Sequence, residues 1–437
     1  KMDHNNQHKR NYAIRNTNDN ESKNDNKNYS IHNYKCYSET LDDEVSSYAN
    51  QAGDSNAIII TSFPISTSAE IEITHISSAD ITSLLSIMNE NLPNWQIQEI
   101  GCARLRILTR DFRHIPTILE RGGLSVITSA MIEHQNNVNV QSNGCGSISN
   151  IALNGKQRAR CEVILNFQGA DLIVKSMSQH PSATTVQMAG CAALGNLALP
   201  GKIEEGDENE NNTACQGGFY STFFGGVEKY MANSCGSGFS NRCGLEDEWV
   251  DTIGISFEGE ALAVIDAGGI KYIIHAMQLH LKDAIVIEQA CGALMSMCST
   301  NMLRVIDDIA AAGGVDALIS AMNYHCLVAA IQSEAIGALA NLAMVAEYEM
   351  EIGSKNGILF VVKAMRSHPM SMLVQKNGCG ALRNLSHSKE NLAMIGHLQA
   401  RDVLKRAMDY FPNECKQPSA HILKKLDLLD GIFFSWI

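Results

Sequence analysis

The chain has 437 residues, 45% of them apolar and 6% aromatic, with a net charge of −13. No run approaches the roughly eighteen apolar residues of a membrane span, and the start, KMDHNNQHKR, has no apolar stretch behind it to make a secretory signal. The acidity is uneven, with three Lys or Arg against eleven Asp or Glu in residues 201–258, and no basic stripe exists for phosphate contacts, so nucleic acid is not expected as a ligand.

Residues 1–50 are rich in Asn, Lys, Asp and Ser and read as a disordered segment. Because residue 1 is Lys rather than Met, the chain is expected to be a fragment or a processed form. Residues 51–76 contain AIIITSF and IEITHI, whose β-branched alternation fits short strands; a cap or linker at the head of a helical array is the preferred reading.

From about Ser77 the chain repeats itself. VQKNGCGALRNLS from Val374 recurs as VQSNGCGSISNIA from Val140, VQMAGCAALGNLA from Val186, VIEQACGALMSMC from Val286 and IQSEAIGALANLA from Ile331, with a weaker IQEIGCARLRILT from Ile97. In the best copy Val374, Gly378, Leu382 and Leu385 step by four, four and three, which is one face of an α-helix. The small residue in the middle of that face is expected to let a neighbouring helix approach closely.

Asn150, Asn196, Asn341 and Asn384 sit off that stripe, each with Gly or Ala four residues before it. Asn is a poor residue for a helix interior because its amide competes for backbone hydrogen bonds. Two roles are open for the series: holding the extended backbone of a partner on an exposed face, or tying down a neighbouring repeat. Ser296 and Ile107 break it.

A second landmark precedes each such helix: a Gly-rich joint, an apolar helix and Met, as in GGIKYIIHAM and GGVDALISAM. The Met series is Met88, Met131, Met177, Met277, Met322, Met365 and Met408, with one gap of 100 where the others are 43 to 46. His134, His180, His280, His325 and His368 follow three residues after Met. Equivalent positions in successive repeats lie roughly 10 Å apart, too far to share a metal ion at about 2 Å, so these His are expected to bond carbonyls at helix ends. Gln98, Gln141, Gln187, Gln332 and Gln375 point away from the Asn and are read as ties between neighbouring repeats.

Cys102, Cys145, Cys191, Cys291 and Cys379 share one repeat position and behave as small buried hydrophobes. They form neither a disulfide framework nor a zinc site, which suits a reduced intracellular protein, cytoplasmic or nuclear. Gly201-Lys202 and Gly155-Lys156 lack the spacing of a phosphate loop, and the chain has no HExxH, GxSxG or paired-carboxylate motif. No catalytic residue, no metal, no cofactor and no small-molecule substrate is inferred.

A three-helix unit of this length, with Gly-Gly before the second helix and GALxNLA in the third, resembles the armadillo repeat family. The resemblance covers roughly Ser77 to Leu429 and looks most like the single-celled-eukaryote type with AMxxH and VQxxGCGAL signatures. It implies an all-α, right-handed solenoid of about seven repeats: repeats 1–3 over 77–200, an acidic Gly- and Cys-containing insertion over 201–258, repeats 4–6 over 259–400 and a C-terminal capping repeat over 401–437. It implies third helices that line a concave groove, where the Asn series grips extended peptides or other proteins and which Asn143, Gln289, Glu334, Asn377 and Arg383, among other polar residues, would line. Import adaptors of the family place Trp four residues before the Asn; here those positions are Gly or Ala, and Trp95, Trp249 and Trp436 lie elsewhere. The expected function is a non-enzymatic protein-interaction scaffold. The alternatives are a cargo adaptor or assembly chaperone, or the regulatory part of a larger signalling enzyme. The insertion is read as a spacer in preference to an acidic arm that shields the groove.

Overall fold

Glycine decides how each repeat turns from its first helix into its second. Gly122, Gly268 and Gly313 take the left-handed backbone conformation, with φ between 76° and 88°, which costs glycine nothing. The glycine after each of them is squeezed: a Cβ on Gly314 would lie 2.7 Å from the Ile309 carbonyl oxygen. The first of these positions is more permissive, since Gln168, Asn356 and Gln399 adopt the same positive φ in other repeats.

The computed structural model describes residues 80–199, 259–300 and 302–434, with backbone alone at 156–158 and 431–434. All belong to one compact unit, Tyr37–Ile437, and Lys1–Cys36 lies outside the described residues. So do the expectations for residues 1–50, 51–76 and 201–258, and those for Trp249 and Trp436.

Twenty α-helices and no strands are present among the described residues. The first repeat contributes α1 (Ile81–Glu90) and α2 (Trp95–Leu108). The second has α3 (Ile115–Glu120), α4 (Gly123–Glu133) and α5 (Val138–Asn154), and the third α6 (Lys156–Phe167), α7 (Gly169–Gln179) and α8 (Thr184–Leu197). The fourth has α9 (Gly259–Asp266), α10 (Gly269–Leu279) and α11 (Ala284–Cys298), and the fifth α12 (Leu303–Ala311), α13 (Gly314–Tyr324) and α14 (Ala329–Leu342). The sixth has α15 (Ala346–Ser354), α16 (Gly357–Ser367) and α17 (Met372–Leu385). The closing unit also has three helices, α18 (Lys389–His397), α19 (Ala400–Tyr410) and the long α20 (Pro412–Phe434).

Packing is sequential. Each third helix lies on the next, from α2 through α5, α8, α11 and α14 to α17 and then α20, and the middle helices stack in the same order. The fold is therefore an all-α solenoid, in which one apolar core is shared between successive units. Asn94, Asn137, Asp283 and Ser371 cap α2, α5, α11 and α17 by accepting backbone N–H bonds, each cap being worth about 1 kcal/mol.

The small residue in the third-helix stripe turns out to serve its own repeat. A Cβ on Gly144, Gly190 or Gly378 would fall 2.5 Å from Cγ of Met131, Met177 or Met365, and Gly101 packs against Met88 in the same way. Each Met comes thirteen residues earlier, on the middle helix of the same unit, and each is no more than 1% exposed. The neighbouring helix that approaches closely is the other half of the same helical hairpin.

The Gln series needs a similar correction. Gln141 Nε2 donates to the carbonyls of Met131 and His134 at 2.8 and 3.1 Å. Gln98, Gln187, Gln332 and Gln375 repeat the arrangement. Gln thus satisfies the open carbonyls at the end of its own middle helix. His, in contrast, does tie one repeat to another. The Nε2 of His134, His180, His280, His325 and His368 donates to the carbonyls of Leu92, Gln135, Pro181, Leu281 and Cys326, each one unit back, at 2.7–2.8 Å.

The fourth unit stacks directly on the third although the chain between them is long. Besides the His280–Pro181 bond, Arg160 Nε meets Glu260 Oε2 at 3.3 Å, with both side chains buried, and Cys161 Sγ donates to Glu260 Oε1 at 3.2 Å. Burial pushes the Glu260 carboxyl up from its usual range, while the Arg160 charge opposes the shift.

Candidate partner-binding face

Counting each third helix from its Asn position makes the sites comparable. Asn150 Nδ2 donates to the Arg106 carbonyl at 3.0 Å and to Thr109 Oγ1 at 3.1 Å. Asn196 Nδ2 donates to the carbonyl and hydroxyl of Ser149 at 3.1 and 2.9 Å, and Asn384 Nδ2 to the Ala340 carbonyl at 2.8 Å. Arg106, Ser149 and Ala340 hold one register, the residue before the Asn position of the preceding unit. Three of the four amides therefore tie a third helix to the one before it.

Their exposure separates them. Asn196 is only 2% exposed, and its Oδ1 is buried without a hydrogen-bond partner. Asn150 and Asn384 are half-buried; Asn150 has used both amide hydrogens, and Asn384 has one left over. Asn341 is half-buried, and its side chain makes no hydrogen bond among the described residues. Ser296, which stands in for Asn in the fourth unit, is 1% exposed, with its hydroxyl unbonded.

The small residue four before the Asn has a visible cause. Over it lies the side chain that precedes the Asn position of the preceding unit. Arg106 crosses Gly146, where a Cβ would be 2.6 Å from its Nε, and Met295 crosses Gly337, with Sδ 2.6 Å from the same construction. In the sixth unit the covering residue would be Ala340, which is too short. A Cβ on Gly380 meets nothing within 4 Å. The floor of this face is bare there.

The other predicted residues fall on the same face. Asn143 accepts from Arg106 Nη1 at 3.4 Å, and Asn377 Nδ2 donates to the Ser333 carbonyl at 2.8 Å and borders Gly337. Gln289 is half-buried. Glu334 occupies the register of Asn143 and Asn377 but is only 4% exposed, and its Oε2 has no hydrogen-bond partner. Burial first, and then the Glu288 carboxylate, push its pKa up to about 8. Arg383 is half-buried, and its side chain makes no hydrogen bond or ion pair among the described residues.

The sequence did not single out a set of basic residues on α20. Lys425 Nζ donates to the Ser386 carbonyl at 3.0 Å, which fixes α20 against the end of α17. His421, Lys424 and Lys425 follow at i, i+3 and i+4 on one side of α20. The signal was present in HILKKLDLLD, but only the placement of α20 along α17 brings these residues to Arg383.

Among the described residues no group of three or more His, Cys, Asp or Glu side chains is arranged to hold a metal ion. No helix there is long and apolar enough to cross a membrane. Cys102, Cys145 and Cys191 are fully buried, and burial pushes their thiols up to about 12.

No family model matches this chain, and no curated protein matches it. Solved structures do. An engineered protein shares 21% sequence identity at a TM-score of 0.50, over 70% of this chain and 96% of its own. A chain from work on a phosphorylation switch that controls the interaction between cadherin and β-catenin shares 13% identity at a TM-score of 0.47, over 83% of this chain and 70% of that one. The first likeness is one of fold.

Proposed function

We propose that the chain is a non-enzymatic scaffold of the armadillo type, which takes extended segments of partner proteins along its row of third helices. The observation that carries this reading is the bare floor at Gly380. Arg106 and Met295 fill the equivalent floor at Gly146 and Gly337. At Gly380 the floor is open, Asn341 in the preceding unit has an unused amide, and Arg383 has an unused guanidinium. A segment laid there finds amide and guanidinium donors that nothing within the described fold employs.

The energetics favour side-chain contacts over a main-chain ladder. A neutral amide bond nets roughly 0.5–1.5 kcal/mol and a charged one about 1.5–3 kcal/mol, against about 8 kcal/mol for a micromolar complex. With the amides of Asn150, Asn196 and Asn384 already bonded to the preceding unit, Asn341 and Arg383 become the principal donors. A cytoplasmic or nuclear setting fits the buried thiols.

The test is co-purification with the tagged full chain, comparing wild type with Gly380→Leu and with Asn341→Ala. Partners held by wild type and lost from Gly380→Leu, at unchanged thermal unfolding, support the reading. Partners indifferent to both substitutions overturn it.

A further inference from the structure

The end of the third-helix row differs in charge from its middle. Glu334 on α14 lies near Glu288 on α11, and burial first and then the Glu288 carboxylate raise its cost of ionisation. Two units later the balance reverses. Besides partial burial, the charges that act on the His421 ring are Lys425, Arg383, His387 and Lys424, and all of them lower its pKa.

Nearby carboxylates do not neutralise this cluster. Asp427 and Asp430 lie on α20 as well, but Arg401 holds them, Nη1 at 2.5 Å from Asp427 and Nη2 at 2.6 Å from Asp430. Glu349 acts on Lys425, yet it is 4% exposed and its Oε1 accepts the Ser388 backbone N–H at 2.6 Å. The i, i+3, i+4 row of His421, Lys424 and Lys425 extends by one more step to Leu428, which is 61% exposed. The cations Arg383, Lys424 and Lys425, the imidazoles of His387 and His421 and an exposed apolar residue thus form one strip beside the bare floor at Gly380.

We infer that this strip, made by Arg383 and His387 from the end of α17 with His421, Lys424 and Lys425 from α20, docks a run of Asp and Glu in the partner protein. The inference rests on the scaffold reading and names the chemistry of its partner. The strip is several residues long, so it suits successive carboxylates along an extended segment better than a single small anion. Arg383 and Lys424, which have no ion-pair partner among the described residues, attract such a segment most strongly at low ionic strength.

The experiment measures fluorescence anisotropy of a labelled peptide of alternating Glu and Gly, titrated with the full chain at about 50 mM salt. A Lys-Gly peptide and a single-stranded oligonucleotide of equal charge are run beside it. The expected result is saturable binding of the Glu peptide alone, weakened at least about tenfold in Arg383→Glu/Lys424→Glu, while Lys389→Glu, which alters an exposed cation outside the strip, leaves it unchanged. Circular dichroism confirms that each variant is folded. Equal binding of the Glu and Lys peptides, tighter binding of the oligonucleotide, or Glu-peptide binding indifferent to the double reversal would overturn the inference. Gly380→Leu separates it from the scaffold reading. If that variant loses co-purifying partners while the Glu peptide fails to bind, the face is used but its partner is not acidic.

Discussion

The imidazole of His280 donates through Nε2 to the carbonyl of Pro181, 2.7 Å away and 99 positions earlier in the chain. The bond has the same form as those of His134, His180, His325 and His368, each of which reaches one unit back, whereas Gln187 bonds Met177 and His180 within its own unit. The two recurring side chains therefore act on different quantities, the coupling between units for His and the stability of a single unit for Gln.

Removing each should separate these effects. His280→Ala is expected to cost about 0.5–1.5 kcal/mol and to broaden the urea transition, because neighbouring units unfold less in concert. Gln187→Ala leaves two carbonyls without their donor and should cost about 1–3 kcal/mol with less broadening. Equilibrium unfolding followed by circular dichroism reads both. Identical transitions for the two variants would contradict the division of roles.

Glu334 gives the fold a pH dependence of definite sign. Its carboxyl, buried and beside Glu288, has a folded-state pKa of about 8, above its ordinary value of 4.5. The folded chain then holds a proton that the unfolded chain releases, so this group's contribution to stability falls as pH rises from about 4.5 to 8. Glu334→Gln should be more stable than wild type at pH 8 by roughly 1–3 kcal/mol and nearly equal to it at pH 5. Thermal melts across that range are the measurement, and parallel profiles for the two proteins would refute the assignment.

Arg160 and Glu260 form a buried pair between units three and four. Glu260→Ala leaves the guanidinium uncompensated and should cost about 3–5 kcal/mol. Replacing both partners, as Arg160→Met/Glu260→Leu, is expected to recover most of that loss, because the desolvation of two charges disappears with them. A double variant as unstable as the single one would show that the pair has a role beyond its own charges.

Gly378 and Gly380, two residues apart on α17, should answer oppositely to the same substitution. A Cβ at 378 presses on Met365, although Ala290 and Ala335 hold that register in other units, so Gly378→Ala should cost only about 1 kcal/mol. A Cβ at 380 meets nothing, and Gly380→Ala should stabilise the helix by up to about 1 kcal/mol. Denaturant midpoints of the two variants on opposite sides of wild type are the expected outcome.

The fold was legible because its periodicities are local. The Val374–Gly378–Leu382–Leu385 stripe, the Met series and the Gly joints each follow from helix geometry, and all reappear in the structure. Assigning Gln and His to their partners was harder, since periodicity gives the side of a helix and not which neighbour lies there. The constant offset of ten residues from Met to Gln was the available clue that this bond closes within one hairpin. The Asn series was visible, but its division into bonded and unbonded amides depends on which of them reaches the carbonyl before the Asn position one unit back, which only the packing of successive third helices sets. The cations of α20 were hidden for a related reason: read alone, HILKKLDLLD is a polar end helix, and only tertiary placement sets it beside Arg383.

The junction between α8 and α11 has a consequence for how this chain can be made. Helix packing, the His280–Pro181 bond and the Arg160–Glu260 pair all hold units three and four together. Two polypeptides expressed separately, one ending near residue 200 and the other beginning near 259, carry complementary surfaces at their cut ends. Mixed in solution, they are expected to recognise each other and rebuild the continuous stack, so the protein should behave as a split pair whose reassembly can be switched on by mixing.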